Sequence, residues 1–335
     1  MENKFLLDGH RSINVLLRKL ALGMDRPTLN RKIVSLTERL FGERKASILL
    51  LNPHNQTLHL EFAPNLPEFY NQAIEGVGIG EHVGSCGAAA FLKRPVIVDD
   101  INKHPNWAPF LPLTQKANLR ACWSVPIISS DEHVLGTFAI YSDKPSTPLP
   151  FELEIAGLLA SLYSVALEKY EQEDQLKFHA NRDSLTHCYN RRALLTKVSS
   201  LVNNSAASDN VLACFFIDVD KFKYINDTHG HQIGDDTLIK VANILRETMA
   251  GSAKIGRYGG DEFVAFCCFS SKDQAEDFHI KLSHRLNEEL NINGYIFSSS
   301  VGMGCCALSE LGEFSDLIAY ADKDMYRIKQ SKITR

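Results

Sequence analysis

Carboxylate side chains follow two apolar segments in the second half of this 335-residue sequence. Asp218 and Asp220 end one apolar run, and Asp261 directly follows the pair Gly259-Gly260. Carboxylates held close together, as at two neighbouring strand ends, repel one another unless they share a hard cation. Mg²⁺ commonly takes one or two protein carboxylates and obtains its other ligands from water and nucleotide phosphate. The pattern suits a metal site for a nucleotide, although an ordinary β-hairpin with an aspartate in its turn has the same spacing.

The hydrophobic pattern predicts the elements that would position these side chains. Val211–Ile217 is a continuous apolar run, which is typical of a buried strand. Lys254–Tyr258 and Glu262–Phe269 flank the two glycines and predict a β-hairpin, whose glycines would let the backbone approach a nucleotide closely. We also expect a helix after Gly234-Asp235-Asp236, a strand at Phe297–Cys305 and a helix at Asp316–Lys329.

The second half of the sequence resembles the GGDEF family of diguanylate cyclases over residues 182 to 329. The motifs that carry the resemblance occur in this order: Asp183-Ser184-Leu185-Thr186, Asn190-Arg191-Arg192, Asp218-Val219-Asp220-Lys221-Phe222-Lys223-Tyr224-Ile225-Asn226-Asp227, Gly230-His231, Gly234-Asp235, Arg257-Tyr258-Gly259-Gly260-Asp261-Glu262-Phe263, and Ala321-Asp322-Lys323-Asp324-Met325-Tyr326 with Lys329. The resemblance implies an α+β fold similar to the palm of nucleotide cyclases and polymerases, in which helices wrap a mostly antiparallel central sheet.

The resemblance also implies roles for individual residues. The implied metal ligands are Asp218, Asp261 and the carbonyl oxygen of Val219. Asp261 and Glu262 are the acidic residues of the catalytic signature. Asn226 and Asp235 match the pair that recognises guanine, whose N1–H and N2–H₂ donors are absent from adenine. The other implied substrate contacts are the phosphate-binding Lys329, the backbone near Lys221 and Phe222, and Gly259 and Gly260.

The reaction implied by the resemblance joins two GTP molecules into cyclic di-GMP and releases two pyrophosphates. Two Mg²⁺ ions per site would support the transfer, with Mn²⁺ as an alternative ion. Because one such domain holds one GTP, two chains must face each other as a homodimer. A GGDEF domain that lacks activity and acts as a GTP-binding or protein-docking module is the alternative.

Two positions depart from the family pattern. An Arg-x-x-Asp site that binds inhibitory product often precedes the signature, but the matching stretch here is Ala250-Gly251-Ser252-Ala253. We therefore expect no product inhibition through that site. The family often closes with Gly-Arg-Asn, and here the sequence is Lys332-Ile333-Thr334. Lys332 could substitute for the arginine, with weaker binding of GTP.

The first half of the sequence resembles a GAF sensory domain from about Ile13 to Leu167. The matching segments are Val83-Gly84-Ser85-Cys86-Gly87-Ala88-Ala89, Pro95-Val96-Ile97-Val98-Asp99-Asp100-Ile101, His104-Pro105-Asn106-Trp107 and Arg120-Ala121-Cys122-Trp123-Ser124-Val125-Pro126-Ile127. An antiparallel sheet with a ligand pocket on one face and helices on the other is implied, and a loop containing His104 and Trp107 is expected to cover the pocket. The fold does not identify the ligand.

Cys86 and Cys122 are candidates for a redox or sensory role. Some GAF proteins that reduce free methionine sulfoxide have cysteines in similar settings, but their further upstream cysteine has no counterpart in Glu75-Gly76-Val77-Gly78. A redox-sensing thiol pair and two structural thiols are the other interpretations. The eight cysteines form no pattern typical of a disulfide framework, which favours a reducing compartment.

Composition and charge favour a cytoplasmic protein of two domains. The formal net charge of −4 provides no broad basic field for nucleic acid or an anionic membrane. The N-terminal apolar run is too short for a signal peptide, and no stretch reaches the roughly 18–20 apolar residues that cross a bilayer. The expected domains are a GAF domain at 1–167, a helical connector at 168–181 and a GGDEF domain at 182–335. The polar connector could equally be a solvated helix end.

Overall fold

The computed structural model describes residues 2–42, 44–204, 210–249, 251 and 253–333. The chain divides into two compact units, Met1–Asp174 and Gln175–Arg335. The division falls inside one helix, α6 (Pro150–Asn181), and inside the expected connector. Each unit contains its own sheet and its own hydrophobic core, and the fold class is α+β, as predicted.

The first unit contains a six-stranded antiparallel sheet with the strand order β3-β2-β1-β6-β5-β4. Its strands are β1 (Lys45–Asn52), β2 (Thr57–Phe62), β3 (Val77–Gly78), β4 (Val96–Val98), β5 (Ala121–Ile128) and β6 (Val134–Ser142). Its other helices are α1 (Glu2–Ala21), α2 (Arg26–Phe41), α3 (Glu68–Ile74), α4 (Cys86–Leu92) and α5 (Leu111–Lys116), with a 3₁₀ helix at Pro105–Phe110.

The two faces of this sheet carry different layers because successive side chains of a strand point to opposite faces. On β6, Phe138 and Ile140 join the core formed with α1, α2 and α6. Ala139 and Tyr141 of the same strand belong to the opposite core, which includes residues of α3 and α4. The antiparallel sheet implied for a GAF domain is therefore confirmed.

Helix α6 is long and apolar enough, by length and composition, to span a membrane, which the sequence analysis did not identify. In its apolar 18-residue window, 44% of the residues are buried inside the protein. Ile155, Leu159 and Ala166 are fully buried in the core of the first unit. The core helix of a soluble protein meets the same criterion, so this feature is weak support for a membrane span.

The second unit contains a five-stranded sheet with the strand order β13-β8-β10-β9-β7. Only β7 pairs in parallel, with β9, so the sheet is mostly antiparallel, as predicted. Its strands are β7 (Tyr189–Asn190), β8 (Val211–Val219), β9 (Lys254–Arg257), β10 (Glu262–Phe269) and β13 (Ser299–Ala307), beside a separate hairpin of β11 (Asn291–Ile292) and β12 (Tyr295–Ile296). Its helices are α7 (Arg191–Asn204), α8 (Phe222–His229), α9 (His231–Thr248), α10 (Lys272–Glu289) and α11 (Phe314–Ile333), with a 3₁₀ turn at Leu308–Glu310.

Strand β8 lies between β13 and β10 in this sheet and is buried on both faces. Phe215 and Ile217 pack in the core that includes residues of α9 and α10, whereas Cys214 and Phe216 pack in the core that includes residues of α7 and α11. This double burial explains why the strand has a continuous apolar sequence rather than an alternating one. The predicted buried strand is confirmed.

Helix α11 approaches the sheet closely because two glycines face it from β13. A Cβ atom on Gly302 would lie 2.1 Å from the carbonyl oxygen of Ala321 and 2.1 Å from the amide nitrogen of Met325. A Cβ atom on Gly304 would lie 2.8 Å from the carbonyl oxygen of Leu317. The absence of side chains at these positions therefore sets the distance between the sheet and the helix that carries Lys329.

One helix boundary differs from the prediction. Helix α9 begins at His231, before Gly234, so that Gly234-Asp235-Asp236 lies inside the helix rather than ahead of it. Gly230, with a φ of 85°, is the residue that separates α8 from α9. The prediction assigned the break to the wrong glycine because both glycines weaken a helical pattern, while only Gly230 adopts the left-handed region.

Candidate active site

Strands β8 and β10 bring the predicted acidic residues together at one edge of the sheet. Their antiparallel register places Glu262 opposite Asp218. The amide of Val219 donates to the carbonyl oxygen of Asp261 over 3.4 Å. Asp261 and Glu262, which follow the two glycines, therefore lie close to Asp218 and Val219 at the end of β8. The sequence predicted this proximity for strand ends in one sheet.

Asp218 is the most deeply placed of these acids, with 8% of its surface exposed. Burial raises the pKa of its carboxyl, and although a hydrogen bond from Lys329 opposes the shift, the neighbouring carboxylates of Asp261 and Asp220 raise the pKa further. The Nζ atom of Lys329 donates to Oδ1 of Asp218. The concentration of negative charge at this point therefore suits a bound cation.

Glu262 lies folded against the turn that precedes it. A Cβ atom on Gly259 would lie 2.3 Å from Oε2 of Glu262, whereas Gly260 has open space where a side chain would stand. The carbonyl oxygen of Glu262 accepts from the amides of Tyr258 at 2.7 Å and Gly259 at 3.3 Å. Burial, followed by Asp261 and other nearby acids, raises the pKa of the Glu262 carboxyl. The first glycine thus leaves room for Glu262, and the second leaves the turn open to a ligand.

Arg257 holds this turn in place, a role that the sequence analysis did not assign. Its Nε and Nη2 atoms donate to the carbonyl oxygen of Gly260 at 3.0 and 2.6 Å. Its Nη1 atom donates to both carboxylate oxygens of Asp183, at 3.1 and 3.2 Å. Asp183 in turn accepts from the backbone amide and the hydroxyl of Thr186 at 2.8 and 2.7 Å. The first motif of the second half therefore supports the turn of the signature.

Asp220 is held by hydrogen bonds rather than left open to the site. The hydroxyls of Ser298 and Ser300 donate to its two carboxylate oxygens, each at 2.7 Å, and Nζ of Lys332 donates to Oδ2 at 2.9 Å. Sequence reasoning missed the two serines. Their spacing of two within the strand predicted at Phe297–Cys305, which would place them on the same side, was the available signal.

Asn226 of α8 lies against α9 close to Asp235. A Cβ atom on Gly234 would stand 1.9 Å from Oδ1 of Asn226 and 3.3 Å from Cζ of Phe222. The absence of a side chain at Gly234 therefore makes room for the amide of Asn226, beside the residue that precedes Asp235. Asp235 itself is exposed. The structure thus places the two residues predicted to recognise guanine in one neighbourhood, together with Phe222.

A groove of about 470 Å³ lies next to these residues within the second unit. Its lining combines the cations Lys221, Lys329 and Lys332 with an aromatic wall. In that wall the rings of His229 and Tyr295 lie 4.3 Å apart, centre to centre. The hairpin β11–β12 that carries Tyr295 was not predicted from the sequence. Three cations beside aromatic rings suit a ligand with both phosphate groups and planar rings.

The donor set fits a divalent cation of the magnesium type. Over the described ranges 2–42, 44–204, 210–249, 251 and 253–333, no three His, Cys, Asp or Glu side chains group closely enough to hold a metal by themselves. Asp218 and Asp261 would contribute two carboxylates, and a nucleotide and water would complete the ligands. Mg²⁺ is commonly held in this way, because it retains several waters and binds substrate phosphate.

The two departures from the family pattern fall partly outside the described residues. Ala250, Ser252 and Thr334 are not described, and neither is the side chain of Ile333. Lys332 is described, and its Nζ atom also donates to the carbonyl oxygen of Ser299 at 2.7 Å. Lys332 therefore reaches the wall of the groove, next to Asp220.

In the first unit, a small cavity of about 40 Å³ lies beside Cys86. Trp107 lines this cavity, whereas His104, expected in the same covering loop, is not among its lining residues. His104 instead begins the 3₁₀ helix, where Nδ1 accepts from the amide of Asn106 at 3.3 Å. Cys122 is fully buried, and both Cys86 and Cys122 are free thiols.

The family comparisons agree with the two units. Residues 180–335 match the family described as diguanylate cyclase, GGDEF domain, and residues 23–168 match the GAF domain family. The C-terminal half of the chain therefore belongs to the GGDEF family, and the N-terminal half belongs to the GAF family. Their order along the chain is the predicted one.

Individual relatives share about half of this chain. The methyl sulfide methyltransferase-associated sensor of Methanosarcina acetivorans is 32% identical over 171 residues, which are 51% of this chain and 17% of the relative. Diguanylate cyclase DgcN of Escherichia coli is 32% identical over 184 residues, which are 54% of this chain and 45% of the relative. The chain spans less than half the length of these two curated relatives. The crystal structure of a sensory box/GGDEF family protein from Caulobacter crescentus is 30% identical and covers 45% of this chain and 99% of its own, with a TM-score of 0.41.

Proposed function

We propose that this chain is a diguanylate cyclase whose GGDEF domain condenses two GTP molecules into cyclic di-GMP and two pyrophosphates under control of its GAF domain. The observation that carries the proposal is the convergence of Asp218, Asp261 and Lys329 beside a groove lined by further lysines. Membership of the GGDEF family, whose curated relatives include diguanylate cyclase DgcN, supports the same reaction.

Selection of guanine is assigned to Asn226 and Asp235. An amide oxygen and a carboxylate can accept from N1–H and N2–H₂ of guanine, while the amide NH₂ can donate to O6. With adenine those acceptors would face a ring that lacks the donors, and buried polar groups left without partners cost binding free energy. The close fit of Asn226 against Gly234 supports this assignment, because it restricts where the amide can lie.

GGDEF diguanylate cyclases generally use a divalent metal, and for this chain we assign Mg²⁺, two ions per site, with Mn²⁺ as an alternative. Asp218, Asp261 and the carbonyl oxygen of Val219 would hold the metal, and Glu262 would help to organise it. When bound, the metal neutralises the negative charge on the reacting phosphates. Lys329 then has less negative charge to balance at Asp218 and can bind the triphosphate. Lys332 adds a second positive charge next to Ile333, which occupies the position of the arginine in the family's Gly-Arg-Asn.

Catalysis requires two chains under this proposal. Each domain holds one GTP, and the 3′-hydroxyl of each nucleotide attacks the α-phosphorus of the other, forming a phosphodiester bond as pyrophosphate leaves. The protein contributes mainly by orientation, since two substrates held in line react far faster than two in solution. A homodimer in which the two sites face each other is therefore part of the proposal, and its geometry gives the GAF domain a means of control.

The composition of the chain, a GAF domain followed by a GGDEF domain, resembles that of soluble cytoplasmic signalling proteins. We accordingly assign the chain to the cytoplasm, where GTP and Mg²⁺ are available. The input to the GAF domain is a small molecule or a redox signal in this proposal.

Incubation of the purified 335-residue protein with GTP and Mg²⁺ tests the proposed diguanylate cyclase activity. The nucleotides are separated by chromatography and identified by their mass. Cyclic di-GMP and pyrophosphate in a ratio of one to two are expected. Asp261→Asn should abolish turnover without unfolding the protein, and Asp277→Asn, an exposed acid on α10, should retain full activity. Binding of GTP without conversion, over a wide range of protein concentration, would instead establish the GTP-binding or docking module.

A further inference from the structure

Two cysteines of the first unit lie together in the interior, on different elements. Cys86 begins helix α4 and is 8% exposed, while Cys122 lies in strand β5 and is fully buried. Both side chains belong to the same buried cluster, and Cys122 pairs across the sheet with Tyr141, whose hydroxyl lies 3.8 Å from Sγ of Cys86. No function proposed above for the GGDEF domain uses this pair.

A short chain of hydrogen bonds fixes the start of α4 against β5. The indole Nε1 of Trp107 donates to the hydroxyl of Ser85 over 3.1 Å. That hydroxyl in turn donates to the carbonyl oxygen of Cys122, also over 3.1 Å. Because Ser85 directly precedes Cys86, these bonds hold the Cys86 thiol beside the strand that carries Cys122. The pairing is thus built into the fold rather than left to side-chain motion.

The environment of Cys86 favours its thiolate. The hydrogen bond from Cys122 lowers the pKa of Cys86 to about 7, against the opposing effect of burial. The hydroxyls of Ser124, Tyr141 and Thr137 act in the same direction. Tyr141 Oη lies 3.8 Å from Cys86 Sγ, and the hydroxyls of Ser124 and Thr137 are buried without a hydrogen-bond partner in the described part of the chain. The lowered pKa raises the fraction of Cys86 that is present as the nucleophilic thiolate.

Cys122 and two cysteines of the second unit have the opposite character. Burial, and then the neighbouring Cys86, raises the pKa of Cys122 well above its usual value. Burial raises the pKa of Cys188 and of Cys214 as well. The first unit therefore pairs one activated thiol with one protonated thiol, which is the arrangement of an attacking and a resolving cysteine.

The cavity beside Cys86 limits what can reach the sulfur. Its volume of about 40 Å³ exceeds the roughly 10–15 Å³ that a cavity needs to hold one water molecule. Its wall includes the aromatic side chains of Tyr70, Trp107 and Tyr141. A space of this size favours a small oxidant such as hydrogen peroxide over an organic peroxide with a long chain.

We propose that Cys86 and Cys122 form a redox site in which hydrogen peroxide converts the two thiols into an intramolecular disulfide. The Cys86 thiolate attacks one peroxide oxygen, so that an S–O bond forms, the O–O bond breaks and the released hydroxide takes up a proton to become water. The sulfur of Cys122 then attacks the sulfur of Cys86. The S–S bond forms as the S–O bond breaks, and the proton of Cys122 leaves with the hydroxyl group as a second water. Two thiols lose two electrons and one peroxide gains them.

The second step becomes easier once the first has occurred. The negative charge of the Cys86 thiolate is one cause of the raised pKa of Cys122. Sulfenic acid formation removes that charge, so the pKa of Cys122 falls when its thiolate is needed. The order of attack, Cys86 before Cys122, follows from this coupling.

Treatment of the full-length chain with a small excess of hydrogen peroxide tests the proposal, with free thiols blocked before digestion by trypsin. The expected product is the peptide containing Cys86 joined to the peptide containing Cys122, with the loss of two hydrogen atoms and reversal by dithiothreitol. Cys188 and Cys214 serve as internal controls and should be blocked as free thiols. A protein in which Cys86 and Cys122 stay reduced, or in which Cys86 accumulates as sulfinic acid beside a free Cys122, would overturn the proposal.

Two variants separate the roles of the cysteines. Cys122→Ser should leave Cys86 as a sulfenic acid that a dimedone probe captures, whereas Cys86→Ser should leave Cys122 unreactive. In the wild-type protein, the rate of disulfide formation should rise through about pH 7, because the thiolate fraction of Cys86 rises there. Equal labelling of both variants would contradict the assigned order. None of these readouts depends on cyclase activity, so they remain valid if the GGDEF domain is inactive.

Discussion

The Nζ atom of Lys329 donates to Oδ1 of Asp218, which joins helix α11 to strand β8 of the second unit. The contact spans 111 residues of sequence. It places a lysine predicted to bind phosphate on a carboxylate predicted to bind metal. In the nucleotide-bound protein we expect this ion pair to break. Lys329 would then contact phosphate, and Asp218 would bind the metal.

Replacement of Lys329 by Gln should weaken the use of GTP. A hydrogen bond to a charged group contributes about 1.5–3 kcal/mol, so kcat/KM for GTP should fall by roughly 10- to 100-fold. Initial rates of pyrophosphate release measure the change. Lys281→Gln, at an exposed position on α10, controls for the loss of one positive charge and should have no effect. Equal kcat/KM values in the two variants would remove Lys329 from the phosphate site.

The contact between Gly234 and Asn226 allows a test of guanine recognition that leaves both proposed base-binding side chains unchanged. Gly234→Ala introduces a Cβ atom at 1.9 Å from Oδ1 of Asn226, so the amide must move. KM for GTP should rise at least about tenfold, as expected for the loss of one well-placed hydrogen bond together with its geometry. Discrimination against ATP, measured as a ratio of kcat/KM values, should decrease.

Gly157→Ala is the matched control for that substitution. Gly157 lies inside helix α6, and a Cβ atom there would meet nothing within 4 Å. The change should stabilise the protein by about 0.4–1 kcal/mol and leave KM for GTP unaltered, because alanine favours the helix through the unfolded state. If Gly234→Ala also left KM and base selectivity unchanged, Asn226 would not determine the position of guanine.

Much of the second unit could be predicted because its strands have strong patterns. Val211–Ile217 is apolar throughout, and the glycines at 259 and 260 indicated the turn between β9 and β10. Local signals therefore predicted strands β8 and β10 themselves. Their antiparallel pairing, which places Glu262 opposite Asp218, joins distant segments of the chain and is seen only in the structure.

Contacts between distant segments could not be predicted in the same way. The ion pair of Arg257 with Asp183 joins residues 74 apart, and the bonds from Ser298 and Ser300 to Asp220 join residues 78 and 80 apart. Nothing in the local sequence of either partner specifies the other. Helix α1 was also missed, although its buried residues Ile13, Leu16 and Leu20 have the three-and-four spacing of an amphipathic helix.

Addition of cyclic di-GMP tests the departure at residues 250–253. These residues lack the arginine and the aspartate of the usual inhibitory site, so added product should inhibit only by competing with GTP at the active site. Steady-state rates at several GTP concentrations should show a change in apparent KM with a constant kcat. A fall in kcat at saturating GTP would reveal a separate product site and contradict the expectation.

The network around Asp220 predicts a pH-dependent contribution to stability. Burial alone would raise the pKa of Asp220, but hydrogen bonds from Ser300, Ser298 and Lys332 outweigh it, so the pKa is lowered from 3.8. A carboxyl with a lowered pKa in the folded state stabilises the fold at pH values above its unfolded pKa, and the contribution is lost as the pH falls through the folded value. The stabilisation should therefore be complete at pH 7 and disappear below about pH 4.

Asp220→Asn makes this contribution measurable. The amide removes the charge and places an NH₂ donor where a carboxylate oxygen accepted hydrogen bonds from Ser298 or Ser300, so the second unit should lose about 1–3 kcal/mol of stability at pH 7. As the pH falls below about 3.8 the wild-type carboxyl also becomes protonated, and the difference between the two proteins should shrink. Urea unfolding of the full chain at pH 7, 5 and 3 measures the difference, with Asp277→Asn as the exposed control. A difference that stays constant from pH 7 to pH 3 would mean that the ionised carboxylate is not what stabilises this wall of the site.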